Sequence, residues 1–320
     1  MRIAILHDDV ASREDATLDE RGVLEAVEAV HLALRDLGHV PVRVPVGARP
    51  GEWAAILAEA SVDLVFNLCE GVGGRSDGEA RAAALVELLG LPMTGSGSET
   101  LALARRKDRV NAILAAEGVR VPAWARVLPG ERAPAWDRFP AIVKPAGEDA
   151  SVGITQASVV RDDAELRNAL AATGRYGAVV IQEFVGGREF NVGIVGDRVL
   201  PVAEIDFGDL PDGLWPVVSY RAKWEAGSDE DLGTRPVCPA PLDPAVREKA
   251  IRLAMAAWRA VEGRGYGRVD LRADAEGRLH VLEVNPNPDL APSAGLSRMA
   301  AAEGWGYIDL IDRIVREATA

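Results

Sequence analysis

The chain has 320 residues, long enough for two or three subdomains around sizeable cores, and its 48% apolar content is ordinary for a globular protein. No apolar run reaches the roughly 18 residues of a membrane span, and a net charge of −13 argues against nucleic acid as the main partner. The two cysteines, Cys69 and Cys238, form no CxxC, so they give neither a disulfide framework nor a zinc signature, and a reducing cytoplasm is the expected setting.

MRIAILHDDV reads as a first buried strand, not a secretory signal. Apolar residues at 23, 24, 27, 30, 34 and 37 predict a helix stopped by Gly38. Strand 40–46, helix 53–60, strand 62–68 ending near Asn67, and helix 78–89 follow. This alternation predicts a small parallel-sheet domain, and the lack of GxGxxG gives a dinucleotide fold no support. One helix is expected over 101–117, with the basic run Arg105-Arg106-Lys107 on a solvated face. Strand 139–144 then leads into the flexible turn GEDASVG. Strand 154–160, helix 162–171 and strand 178–185 come next, then a hairpin of 190–195 with 198–205 around Gly196–Asp197. Residues 206–236 lack regular pattern and are expected to form a long functional loop. Helices are predicted over 244–261 and 305–317.

Between those helices, GYGRVDLRADAEGRLHVLEVNPNPD (265–289) reads as a hairpin turning at 273–278, where Gly277 is free to take positive φ. Arg268 and Asp270 share one strand face, as do Glu283 and Asn285 on the partner. If the faces match, two carboxylates, an amide and an Arg converge as oxygen ligands suited to Mg²⁺. A one-residue slip would separate them. Lys144 ends an apolar strand and feeds Gly147–Gly153, where backbone N–H groups and Ser151 could cradle phosphate; taken alone, this fits an exposed hairpin at least as well. Gln182–Val185 and Glu189 could offer backbone bonds to a flat base and a carboxylate to a ribose, or could be a bulge with a surface ion pair. Lys223 and Trp224 suit a lid over substrate. His7, His31, His39 and His280 do not cluster, and His280 is expected on the face opposite Glu283.

Together, LVELLGLPMTGSGSETLALARRKDRVNAILAAEGVRVP, FPAIVKPAGEDASVGI, QEFVGGREFNVGIVGDRVLPVAEI, SYRAKW with VCPA, GYGRVDL and LEVNPNP resemble, in this order, the D-alanine–D-alanine ligase branch of the ATP-grasp superfamily. The resemblance covers most of the chain. It implies a three-part α/β ATP-grasp fold: an N-terminal parallel-sheet domain (1–97), a central small domain (98–186) and a C-terminal domain with metal site and lid (187–320), the last two gripping ATP. It implies an amide-forming ligase in which ATP converts a carboxylate to an acyl phosphate that an amine then attacks. Lys107 and Lys144 would hold phosphates, and Gly147 to Gly153 with Ser151 would cover them. Glu183, Phe184 and Val185 would contact adenine, and Glu189 the ribose. Lys223 would act from the lid, Asp270, Glu283 and Asn285 would ligate two Mg²⁺ ions (or Mn²⁺), and Arg268 would stabilise charge on the reacting group. A cytoplasmic homodimer acting on small amino-acid-like carboxylates and amines is expected.

The departures concern the amino acids. The family's paired-glycine motif after the first strand is here HDDVASREDATLDERGV, leaving Asp19 or Glu20 as the counterpart of the carboxylate that grips the first amine. Asp289 stands about where the family has a glycine, and Trp224 where it has a tyrosine. These predict altered substrate specificity. A catalytically inactive nucleotide-binding sensor or scaffold is the alternative; such a protein is expected to have lost part of the set Arg268, Asp270, Glu283 and Asn285, which is complete here.

Overall fold

The structure is a computed structural model that describes residues 1–319. β1 (Arg2–Asp8), α1 (Leu18–Asp36), β2 (Val40–Val46), α2 (Pro50–Glu59), β3 (Leu64–Asn67) and α3 (Gly78–Leu88) build the first layer. The strands form a parallel sheet in the order β2-β1-β3. Side chains of β1 alternate, so Ile3 and Ile5 pack with α1 while Ala4 and Leu6 pack with Trp53, Leu57 and Val86 from α2 and α3. Helix α1 starts earlier than apolar periodicity suggested because Glu20 closes a capping box, its Oε2 accepting the Thr17 N–H at 2.8 Å.

The expected single helix over 101–117 is two helices, α4 (Ser98–Ala104) and α5 (Lys107–Ala116). The break at Arg105–Arg106 takes Lys107 off a solvated face and buries it in the first turn of α5. β4 (Trp124–Val127), β5 (Ala141–Pro145), β6 (Val159–Val160), α6 (Asp163–Thr173) and β7 (Val179–Glu183) follow, and the strands pair antiparallel in the order β4-β7-β5-β6. The expected strand over 154–160 shrinks to β6, because Gln156–Ser158 form a 3-10 turn with Thr155 as cap.

The largest sheet contains β8 (Glu189–Val195), β9 (Arg198–Val199), β10 (Ala203–Asp206), β11 (Arg235–Val237), β12 (Tyr266–Ala273) and β13 (Leu279–Asn285), in the order β11-β10-β8-β12-β13 with β9 also on β8. The predicted second hairpin strand is therefore interrupted between Val199 and Ala203. The long loop carries α7 (Tyr220–Trp224) and α8 (Asp229–Leu232). One sheet face, with Phe190, Val192, Ile194, Val269 and Leu271, packs on α9 (Pro244–Ala260). α10 (Gly295–Ala302), which apolar periodicity did not flag, and α11 (Tyr307–Glu317) complete the chain. Leu310, Ile311, Ile314 and Val315 of α11 share the core of α1, so the end of the chain braces its beginning. Among the described residues, no helix is long and apolar enough to cross a membrane.

Candidate active site

The polar face of the large sheet forms one wall of a deep cleft. On β8 the residues alternating with the core are Glu189 and Asn191; on β12 they are Arg268, Asp270 and Arg272. β13 continues the pattern only because of a bulge. Asp270 pairs with Glu283, but the next residue, Leu271, pairs with Val281, so Leu282 is the extra residue. Val281 faces the core, and without the bulge Glu283 would follow it there. The bulge instead sets Glu283 opposite Asp270 and Asn285 opposite Arg268. It also overturns the expectation for His280: opposite Arg272, this residue falls on the Glu283 side, although its Nε2 lies 3.1 Å from Asp274 Oδ2, toward the hairpin turn.

Asp270 is held from three directions. Arg268 donates to both its oxygens at 2.7 and 2.8 Å, Asn191 Nδ2 donates at 2.7 Å, and Asn285 Nδ2 at 3.1 Å. Asn285 Nδ2 also reaches Glu283 Oε1 at 3.0 Å, which orients its amide oxygen away from the two carboxylates it joins. Glu283 is buried, which opposes its charge, but Lys107, the Asn285 amide and Lys144 outweigh this and hold its carboxyl well below the usual carboxylate range. Among the described residues no three His, Cys, Asp or Glu side chains gather as a metal cage. The donor set is thus two carboxylates, which the Asn285 amide oxygen would join once that amide turns, all hard oxygen donors. That set fits Mg²⁺, which takes one or two protein carboxylates and fills its sphere with water and phosphate.

Two lysines face this patch. Lys107 Nζ donates to Glu148 O at 2.6 Å and Asp149 Oδ1 at 2.5 Å, and lies 3.8 Å from Glu283 Oε2. Burial disfavours its charge, but Asp149 and Glu283 more than compensate and raise its pKa. Lys144, only 8% exposed, has no such partner in contact among the described residues; burial lowers its pKa to about 8, with Lys107 adding to the effect. The loop after Lys144 is shaped by positive φ at Ala150, Ser151 and Gly153. Its Gly147 carbonyl accepts from Arg105 at 2.8 Å, and Ser151 Oγ donates to Val218 O at 2.8 Å.

Of the other predicted residues, Glu183, Phe184 and Val185 line the cleft, but the N–H groups of Glu183 and Phe184 already donate to Ala123 and Pro140. Glu189 pairs with Arg272 at 3.1 Å; burial still raises its pKa. Asp19 accepts from Tyr220 OH at 2.8 Å, while Glu20 is committed to the α1 cap and to Arg13 at 2.6 Å, which leaves Asp19 as the carboxylate facing α7. Lys223 lies over the Trp224 ring at 4.9 Å, and Trp224 Nε1 donates to Ala150 O at 2.9 Å. Asp289 accepts the Ala291 N–H at 2.8 Å at the cleft end lined by Asp8, Asp19 and Glu70. The Glu70 N–H donates to Asp8 Oδ1 at 2.9 Å and its side chain opens on the cleft; the surrounding protein and the neighbouring Asp8 raise its carboxyl, against Lys223, and Asp8 is itself raised to about 6 by burial.

The sequence reading missed Asn191 and Arg272. Arg272 donates to Gly187 O and Pro216 O and stacks 5.1 Å from the Phe184 ring centroid, so it ties the sheet to the loop 206–236 and the cleft wall. Both residues were within reach of the alternation rule, each being two positions from a predicted residue on the same face. Tyr220 and Arg105 had no local signal.

A family model described as "D-ala D-ala ligase C-terminus" matches residues 126–316. The D-alanine–D-alanine ligase of Gluconobacter oxydans is 35% identical over 325 residues, covering 100% of both chains. That of Geobacter sulfurreducens is 31% identical, over 99% of this chain and 94% of its own. A crystal structure of D-alanine–D-alanine ligase from Bacillus anthracis complexed with ATP matches with a TM-score of 0.79 and 20% identity, covering 100% of this chain and 97% of that one, and so has the same fold.

Proposed function

Since this chain belongs to the D-alanine–D-alanine ligase family of ATP-grasp ligases, we propose that it joins a carboxylate to an amine through an acyl phosphate, with an amino-acid specificity of its own. The observation that carries this reading is the convergence of Arg268, Asp270, Glu283 and Asn285 on one sheet face, with Lys107 and Lys144 beside them. Asp270, Glu283 and Asn285 would hold Mg²⁺, two ions by family expectation, with Mn²⁺ as a substitute. Bound there, the metal would neutralise charge on the transferring phosphoryl group. Lys107, Lys144 and the loop Gly147–Gly153 grip the phosphates, the 183–185 segment holds the base and Glu189 the ribose.

The substrate carboxylate attacks the γ-phosphorus, giving ADP and an acyl phosphate. The amine then attacks the acyl carbon, phosphate leaves, and the amine loses a proton. Arg268 Nη1 is the guanidinium nitrogen not engaged with Asp270, and it serves the charge that develops on the acyl group. No protein nucleophile takes part; the chain contributes position, charge and exclusion of water under the Lys223–Trp224 lid.

Asp289 and the 8–22 segment set specificity. At the cleft end the carboxylates of Asp8, Asp19 and Asp289, faced by Lys223 and Arg298, favour a substrate that carries an amine or another cation over a bare carboxylate. A cytoplasmic homodimer divided near residues 97 and 186 completes the proposal. The test is ATP-dependent phosphate release with Mg²⁺ and a panel of D- and L-amino acids and dipeptides, with product masses. Release only with a pair that includes a cationic partner supports the reading. Release with D-alanine alone and a D-Ala-D-Ala mass overturns the specificity claim, and a phosphorylated product with no amide overturns the ligase claim.

A further inference from the structure

Gly22 lies in the second turn of α1, where glycine costs about 1 kcal/mol relative to alanine. The tertiary structure gives a reason for it. A Cβ at position 22 would stand 2.8 Å from Cζ3 and 3.1 Å from Cη2 of Trp224, so the indole rests directly on the helix backbone. The ring has little freedom to back away, because its Nε1 donates to Ala150 O at 2.9 Å. A second contact lies beside this one, the 2.8 Å bond from Tyr220 OH to Asp19. Asp19 and Gly22 are three apart on α1, and Tyr220 and Trp224 four apart on α7, so each pair presents one helix face. The loop that Trp224 holds contains Ala150 at φ 53° and Ser151 at φ 62°, a region residues with a Cβ rarely adopt. Contacts from the lid, Trp224 Nε1 to Ala150 and Ser151 Oγ to Val218 O, keep it there.

We infer that Gly22 is the seat of Trp224 and a positioning residue for closure. The missing side chain lets the indole settle low enough on α1 for its N–H to reach Ala150 and hold the phosphate loop shut. The docking stands on geometry alone; only its kinetic consequence rests on the ligase reading.

The test uses the full chain with Gly22→Ala, Trp224→Ala and the double variant. Each is digested with trypsin in Mg²⁺ and a non-hydrolysable ATP analogue, following cleavage after Arg221 and Lys223. Helix propensity alone predicts a higher Tm for Gly22→Ala and unchanged protection. The seat predicts a Tm no lower than wild type together with about tenfold faster cleavage, and a raised KM for ATP. In the Trp224→Ala background the same Gly22→Ala step changes cleavage by less than about twofold, because no ring meets the methyl. Trp224→Ala alone leaves α1 untouched and also speeds cleavage. Wild-type protection in either single variant, or an equal Gly22→Ala effect in both backgrounds, overturns the inference. Cleavage is read without turnover, so a wild-type protein inactive on every substrate pair would sink the ligase reading and leave this one standing.

Discussion

Lys144 and Lys107 show how neighbours decide what a buried charge does. Both are buried cations beside the same carboxylate, yet Lys107 touches Asp149 and is raised, whereas Lys144 lacks such a contact and falls to about 8. With its pKa below the ordinary lysine value, Lys144 is charged below pH 8 and loses its proton as pH rises through that point. Nucleotide phosphates favour the protonated form. ATP affinity measured by titration calorimetry is therefore expected to be highest below pH 8 and to weaken several-fold, by roughly the lost fraction of charge, toward pH 9. Lys144→Arg, which stays protonated throughout, should flatten that profile; an equally steep decline in the variant would assign the titration to another group.

At the scale of elements, the loop 206–236 is tethered by a buried network of its own. Glu230 in α8 accepts from Ser219 Oγ at 2.5 Å and from Gln156 Nε2 at 3.1 Å. Ser219 also caps α7, the helix that carries Lys223 and Trp224, by accepting the Ala222 N–H. One carboxylate thus fixes α7 to the central layer. Glu230→Ala leaves Ser219 and Gln156 short of a partner inside the protein, at about 1–3 kcal/mol. The expected outcome is a lower Tm with faster trypsin cleavage within 206–236, while Glu230→Gln, which can still accept from Ser219, keeps more of both. Equal losses in the two variants would mean that charge, not the hydrogen bond, holds the lid.

For the whole molecule, a cleft bounded by three sheets implies that bound nucleotide reports on the fold as a unit. Mg²⁺ with ATP at about 100 times Kd should stabilise the protein by about 2.7 kcal/mol. Chelation of Mg²⁺ or the Glu283→Ala change should remove most of the resulting Tm shift, and an undiminished shift in Glu283→Ala would detach that residue from the metal. Much of this architecture was legible along the chain. Arg268 with Asp270, and Glu283 with Asn285, declare a shared face because strand side chains alternate, and Lys144 before a Gly-rich turn declares its place because both signals are local. Other features were not. The bulge at Leu282 depends on how β13 pairs with β12, the split between α4 and α5 depends on what Lys107 meets, and the Trp224–Gly22 seat joins segments far apart in sequence. Sequence by itself determined which chemical groups are present and how each strand or helix orients them, since periodicity is a property of neighbouring residues. Tertiary structure alone decided which faces meet, which carboxylate is free and which is spent on a cap, because those outcomes follow from register and packing between distant segments.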